Sequence, residues 1–379
     1  MKTLHFTGQA LVTGRDALDW LKTLRPGRVF LVTGGGSMIR TGVLDKIEGL
    51  LPAGTQVRRF VGIGKNPTKR EVEAGIAAMR EFGPDTVIAV GGGSAIDAAK
   101  AMMLFYEHPE LTFENVQTSP LPPGRGRILF VAIPSTSGTA TEVTHVCVVT
   151  YPELSYKVPI KCEAIRPAVA ILDPALPMTM PAQIAAETGM DALTHALECF
   201  ISTGADDFTE ALAKSAAEGI LDWLPASCLE GNPLAREKVH NYQSMAGMAF
   251  SNAGLGMAHG IAHAFGGKYN LGHGLCNAII LPYSMQYNAR DARVRGQFDK
   301  LAKPGAPDII DRVFALVKQL GLPVSFMGAG LAEADFLADF DFLLKNSMGG
   351  STRVNPVAIP EEDMGKLLEC IYYGRPVTF

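Results

Sequence analysis

Apolar residues in the first half of the chain come in short unbroken runs separated by amphipathic stretches. Arg28–Thr33 (RVFLVT), Asp85–Val90 (DTVIAV) and Ile128–Ile133 (ILFVAI) are nearly continuous apolar segments. Such segments suit strands buried on both faces. Gln56–Val61, Val146–Thr150 and Ala168–Leu172 read as further strands. Ser37–Leu51 places Ile39, Val43, Leu44, Ile47 and Leu50 at helical spacing, and Lys69–Phe82 and Ala95–Phe105 also read as helices. Strands alternating with helices predict a parallel sheet covered on both faces. The proline-rich stretch Glu107–Arg127 reads as an irregular excursion.

After Asp173-Pro174 the pattern changes. Long Ala- and Leu-rich segments with helical spacing follow: Ala182–Ile201, Thr209–Trp223, Ala235–Phe250, Ile309–Leu320 and Glu361–Tyr372. The expected organisation is an α/β domain over residues 1–180 and an all-helical domain over residues 181–379, with the boundary near Met178–Pro181.

Composition narrows the function. The 379 residues are 47% hydrophobic and 19% charged, which excludes a disordered chain. A net charge of −4 argues against a nucleic-acid partner, which calls for a basic field. The first residues, Met1 to Gly8, lack the apolar core of a signal peptide, and no apolar run approaches the length of a membrane span. Cys147, Cys162, Cys199, Cys228, Cys276 and Cys370 are widely spaced with no CxxC pair. A reduced cytoplasmic protein is expected, and any metal must be held by histidine and carboxylate.

Gly91-Gly92-Gly93-Ser94 sits where a strand gives way to a helix. Unpaired backbone N–H groups and the helix dipole there favour a phosphate, with Ser94 expected as N-cap. The spacing is not the G-x-G-x-x-G dinucleotide fingerprint. The loop Pro134-Ser135-Thr136-Ser137-Gly138-Thr139-Ala140-Thr141-Glu142-Val143-Thr144 follows the next strand and offers many small hydroxyls to a polar ligand.

The strongest chemical signal lies in the helical half. Asp191 and His195 are four apart, so they share one helix face. His259 and His263 are also four apart, and His273 follows a turn expected at Gly266-Gly267. Four of the eight histidines fall in this constellation. Imidazole with carboxylate suits Fe(II), Zn(II), Mn(II) or Ni(II), not Mg or Ca. Spacing alone leaves open which of the four histidines are ligands.

These motifs together resemble the iron-containing (group III) alcohol dehydrogenase family over nearly the whole chain. The resemblance is carried by Asn66-Pro67-Thr68, GGGSAIDAAK (91–100), PSTSGTATEVT (134–144), ILDPALPMTMP (171–181), ETGMDALTHALE (187–198), GLGMAHGIAHAFGGKYNLGHG (254–274) and Asn355-Pro356. It implies a Rossmann-like dinucleotide-binding α/β domain, a helical metal-binding domain and an active site in the cleft between them. By position it puts the metal ligands on Asp191, His195, His259 and His273, with His263 an extra histidine beside them and the candidate proton carrier. It assigns cofactor contacts to Asn66, Gly91, Gly92, Gly93, Ser94, Asp97, Thr136, Thr139 and Lys157. Family members that prefer NAD carry a carboxylate at the position of Gly34, where this chain reads Gly34-Gly35-Gly36-Ser37 followed by Arg40. NADP(H) is therefore expected ahead of NAD(H), with Gly34, Gly35 and Ser37 at the extra phosphate.

The chain departs from the family pattern at Ala140-Thr141, where Gly and Ser are usual, at His145, and at Val357, where Arg often follows Asn-Pro. The expected reaction is reversible hydride transfer between a nicotinamide cofactor and a small alcohol/aldehyde pair. Fe(II) or Zn(II) is expected to polarise the substrate oxygen, in a homodimer or larger homo-oligomer. The alternatives are a dehydroquinate-synthase-like or glycerol-dehydrogenase-like zinc enzyme on the same architecture, or a non-catalytic binding protein. The dehydroquinate-synthase-like reading needs several Lys and Arg for a polyanion, whereas the histidine segments are rich in Gly, Ala, Met and Phe.

Overall fold

Alternate residues of three neighbouring strands divide between two apolar layers. Phe30 and Val32, Val87 and Ala89, and Phe130 and Ala132 fall in one buried cluster. Val29 and Leu31, Ile88 and Val90, and Val131 and Ile133 fall in another. A strand with this period of two buries both faces, so its central residues are apolar. The computed structural model describes residues 2–151 and 156–379, with the side chains of residues 156 and 157 outside that description.

The chain divides into two compact units, residues 1–136 with 140–180, and residues 137–139 with 181–379. The first contains β1 (Ala10–Thr13), β2 (Arg28–Gly34), α1 (Ser37–Arg40), α2 (Val43–Leu50), β3 (Gln56–Ile63), α3 (Lys69–Phe82), β4 (Thr86–Gly91), α4 (Gly93–Glu107), β5 (Leu129–Pro134), β6 (Val146–Tyr151), β7 (Tyr156–Lys161) and β8 (Val169–Leu172). Six strands form one sheet in the order β1-β8-β5-β4-β2-β3. Every pairing in it is parallel. β6 and β7 form a separate antiparallel pair. The helix read over Ser37–Leu51 is two helices, because Gly42 takes φ 71° and interrupts it.

The second unit is helical: α5 (Ala182–Ile201), α6 (Asp207–Leu229), α7 (Pro233–Ala253), α8 (Met257–Tyr269), α9 (His273–Asn288), α10 (Ala292–Asp299), α11 (Ile309–Gln319), α12 (Glu333–Ala338), α13 (Phe340–Ser347) and α14 (Glu361–Tyr373). From Gly189 to Ile201, α5 is buried on every face, as a central helix must be. The turn expected at Gly266-Gly267 is not there. Both glycines lie inside α8, and the corner comes at Asn270, φ 53°. No helix among the described residues is long and apolar enough to cross a membrane.

Candidate metal and cofactor site

Three helices of the second unit supply the donor set. α5 carries Asp191 and His195 one turn apart, α8 carries His259 in its first turn, and His273 is the first residue of α9. Ligand atoms of Asp191, His195 and His259 all lie within 4.8 Å of one another, and all three residues are buried. His273 approaches from a more open side: its Nε2 is 3.7 Å from Asp191 Oδ1 and its side chain is 30% exposed. His259 Nε2 is 3.8 Å from the same oxygen. The His195 ring is stacked between His259 and Phe250, with centroids 4.5 and 4.4 Å away.

Electrostatics keep these donors in ligand form. Burial pushes the His195 imidazole below its usual pKa and the His259 imidazole far below it, so both offer a lone pair at neutral pH. Burial also acts to raise the Asp191 carboxyl. The neighbouring imidazoles and a hydrogen bond from Asn277 outweigh it and hold the carboxyl below its ordinary range.

Two residues of this site lie outside the set expected from the sequence. Asn277, one turn beyond His273, donates from Nδ2 to Asp191 Oδ1 at 2.6 Å. The same nitrogen is 3.2 Å from Nε2 of both His259 and His273. Glu198 accepts from His259 Nδ1 at 2.6 Å. It completes an i, i+4, i+7 face with Asp191 and His195, the spacing by which it is recognisable. Burial pushes the Glu198 carboxyl up, while hydrogen bonds from the Gly256 and Ala258 amides favour its ionised form.

The donor set fits a divalent transition-metal ion. A carboxylate oxygen and two imidazole nitrogens converge on the Asn277 amide nitrogen, a point that favours positive charge. His263 stands apart. It is exposed, and its ring stacks on His273 at 5.1 Å between centroids.

In the first unit, Gly91 ends β4 with φ 150°, and α4 begins at Gly93. A side chain at Gly91 would be 3.0 Å from the Ala95 β-carbon, so only glycine gives this turn room. Ser94 is not the cap: Gly92 is, and the Ser94 hydroxyl donates to the Lys65 carbonyl. Asn66 is half-buried and precedes Thr68, which caps α3 reciprocally with Glu71.

Asp97 and Lys100 of α4 turn toward the loop after β5. Asp97 accepts from the Thr141 hydroxyl at 2.6 Å and the Val148 amide at 3.0 Å. Lys100, fully buried, donates to the Thr141 and Thr144 hydroxyls and to the Thr144 and Val146 carbonyls. Burial lowers its ammonium to about 8. These two side chains shape the loop from beneath.

Thr136 is half-buried, its methyl 3.4 Å from where a Gly92 side chain would begin. Thr139 is half-buried and belongs with Ser137 and Gly138 to the second unit. There the Ser137 hydroxyl pairs with His240 Nδ1 at 2.9 Å. His145 packs in the first unit against Arg166, 3.0 Å away, and burial drives its pKa down to about 4. Lys157 lies on β7, with its side chain outside the described residues.

Gly34 ends β2, and Gly35 and Ser37 are exposed. α1 is a single turn, too short for a strong dipole. The Arg40 guanidinium instead folds back over the glycines, its Nη1 2.8 Å from where a Gly36 side chain would begin.

Comparison with known proteins agrees with this architecture. Residues 9–174 match the family described as iron-containing alcohol dehydrogenase, and residues 185–372 match its C-terminal domain. An NADPH-dependent butanol dehydrogenase of Clostridium saccharobutylicum is 42% identical over 97% of each chain. A 1-propanol dehydrogenase of Salmonella typhimurium is 37% identical over 95% of this chain and 97% of its own. The iron-containing alcohol dehydrogenase structure from Thermococcus thioreducens superposes with a TM-score of 0.91 at 34% identity, covering 99% of this chain and all of that one.

Proposed function

Since the chain belongs to the iron-containing alcohol dehydrogenase family, we infer that it catalyses reversible, NAD(P)-dependent hydride transfer between a small alcohol and its aldehyde. The observation that carries this reading is the convergence of Asp191, His195 and His259, with His273 on the same carboxylate oxygen. These four residues would hold one divalent ion, which supplies Lewis-acid polarisation of a carbonyl oxygen. The nicotinamide cofactor supplies or accepts the hydride.

The side chains of this protein have separate tasks. Asp191 contributes negative charge, while neutral His195 and His259 contribute lone pairs without like-charge repulsion. Backbone N–H groups at Gly92, Gly93 and Ser94 face the open end of α4 and are proposed to bind the cofactor pyrophosphate. Asp97 is proposed to act on the cofactor through Thr141, rather than by contact. Thr136, Thr139 and Asn66 remain proposed cofactor neighbours. His263, exposed and stacked on His273, is proposed to carry a proton on its imidazole.

Two finer points are proposed. Fe(II) is the working ion, in keeping with the family and with an imidazole–carboxylate set that also accepts Zn(II). NADP(H) is preferred, supported by glycine at position 34, by Arg40 over Gly36, and by the relative named for NADPH. The test is a panel of short aldehydes with NADPH or NADH, followed at 340 nm on protein of measured metal content. Aldehyde-dependent oxidation that tracks metal content supports the reading, and undiminished turnover after complete metal removal overturns it.

A further inference from the structure

Glu198 is buried, 3% exposed, on the same face of α5 as Asp191 and His195. Its carboxylate is fully engaged. Oε2 accepts from His259 Nδ1 at 2.6 Å and the Gly256 amide at 3.0 Å, and Oε1 accepts from the Ala258 amide at 2.6 Å. Gly256 is the N-cap of α8, and its residue offers no side-chain cap of its own. One carboxylate from α5 therefore takes up two unpaired amides at the start of α8 and the ring proton of a histidine in its first turn.

We propose that Glu198 is a positioning residue that holds His259 in the Nδ1–H tautomer, so that Nε2 alone presents its lone pair beside Asp191. An imidazole has one proton to place, and a charge-assisted bond at Nδ1 keeps it there. The opposite side of the ring agrees. Nε2 faces the Asn277 amide nitrogen at 3.2 Å, a donor group that suits a lone pair there. The bond also fixes the ring plane against His195, 4.5 Å away between centroids. Carboxylates behind ligating histidines are worth roughly 10–100-fold in metal affinity.

The proposal rests on the metal reading above, and two readouts separate them. The first is histidine side-chain ¹⁵N NMR of the chelator-treated full chain, which reports the His259 tautomer without any ion. The second is the rate at which a chelator strips Zn(II) or Fe(II) from the loaded enzyme. Glu198→Leu, which removes the acceptor at Nδ1, is expected to mix the His259 tautomers and to speed metal loss at least tenfold. An unchanged tautomer overturns the proposal, whatever the metal does. An unchanged stripping rate also overturns it, while leaving the metal centre standing. If wild-type protein binds no ion, the functional reading fails, and the NMR result alone decides the role of Glu198. Should Glu198→Leu not fold, Glu198→Asp carries both measurements, since it keeps the charge but withdraws it from Nδ1 by one carbon.

Discussion

The side-chain amide of Asn277 donates to Asp191 Oδ1 at 2.6 Å, within a buried polar centre otherwise made of imidazoles. A buried carboxylate deprived of such a donor loses about 1.5–3 kcal/mol. Asn277→Ala is accordingly expected to lower the stability of chelator-treated protein by about 2 kcal/mol. The measurement is the urea midpoint at fixed pH. A midpoint within error of wild type would mean that the amide contributes nothing to holding Asp191.

Acid should weaken the fold through His240. This ring is fully buried, and burial drives its pKa from 6.5 down to about 4. In the unfolded chain it binds a proton near pH 6.5, so between 6.5 and 4 the unfolded state holds more protons than the folded one. The stabilisation is complete above pH 6.5 and is lost as pH falls toward 4, in total roughly 3 kcal/mol. His240→Gln should flatten the dependence of the urea midpoint on pH across that window. A variant as acid-sensitive as wild type would exclude His240 as the source.

Ala140 holds φ 51°, a left-handed conformation that glycine adopts more readily. The family usually places glycine there. Ala140→Gly should therefore raise stability by about 0.5–1 kcal/mol, after the greater flexibility of unfolded glycine is deducted. A lower urea midpoint for this variant would show that the surrounding loop, not the backbone angle, governs the position.

These positions show what a sequence displays and what it conceals. α3 and α5 follow the apolar spacing to both ends, because Thr68 with Glu71 and Pro181 mark their starts. β1 escapes notice, since four residues of mixed exposure give no periodic signal. Gly266 and Gly267 look like a turn, yet both lie inside α8, and Gly266 is buried. The histidines declare themselves by spacing. Glu198 does so only as the next step of the Asp191–His195 face, and Asn277 does not, because a single polar residue on an apolar helix acquires its meaning only from the helix opposite.

Cofactor choice is tested at Arg40, whose guanidinium lies over Gly36. Removing it with Arg40→Ala should lower kcat/KM for NADPH about tenfold, roughly 1.4 kcal/mol, and leave that for NADH nearly unchanged. Equal losses with both cofactors would indicate a general structural effect, and a wild-type preference for NADH would refute the assignment outright.

The most direct test of the central claim is metal content and NADPH-dependent aldehyde reduction measured on the same preparations of wild type and His259→Ala. His259 is buried, brings Nε2 to 3.8 Å from Asp191 Oδ1 and sits in the mutual cluster with His195. Wild type should carry a single divalent ion per chain and oxidise NADPH with a short aldehyde, and His259→Ala should lose both together. Full metal occupancy and near-normal turnover in His259→Ala would contradict the account.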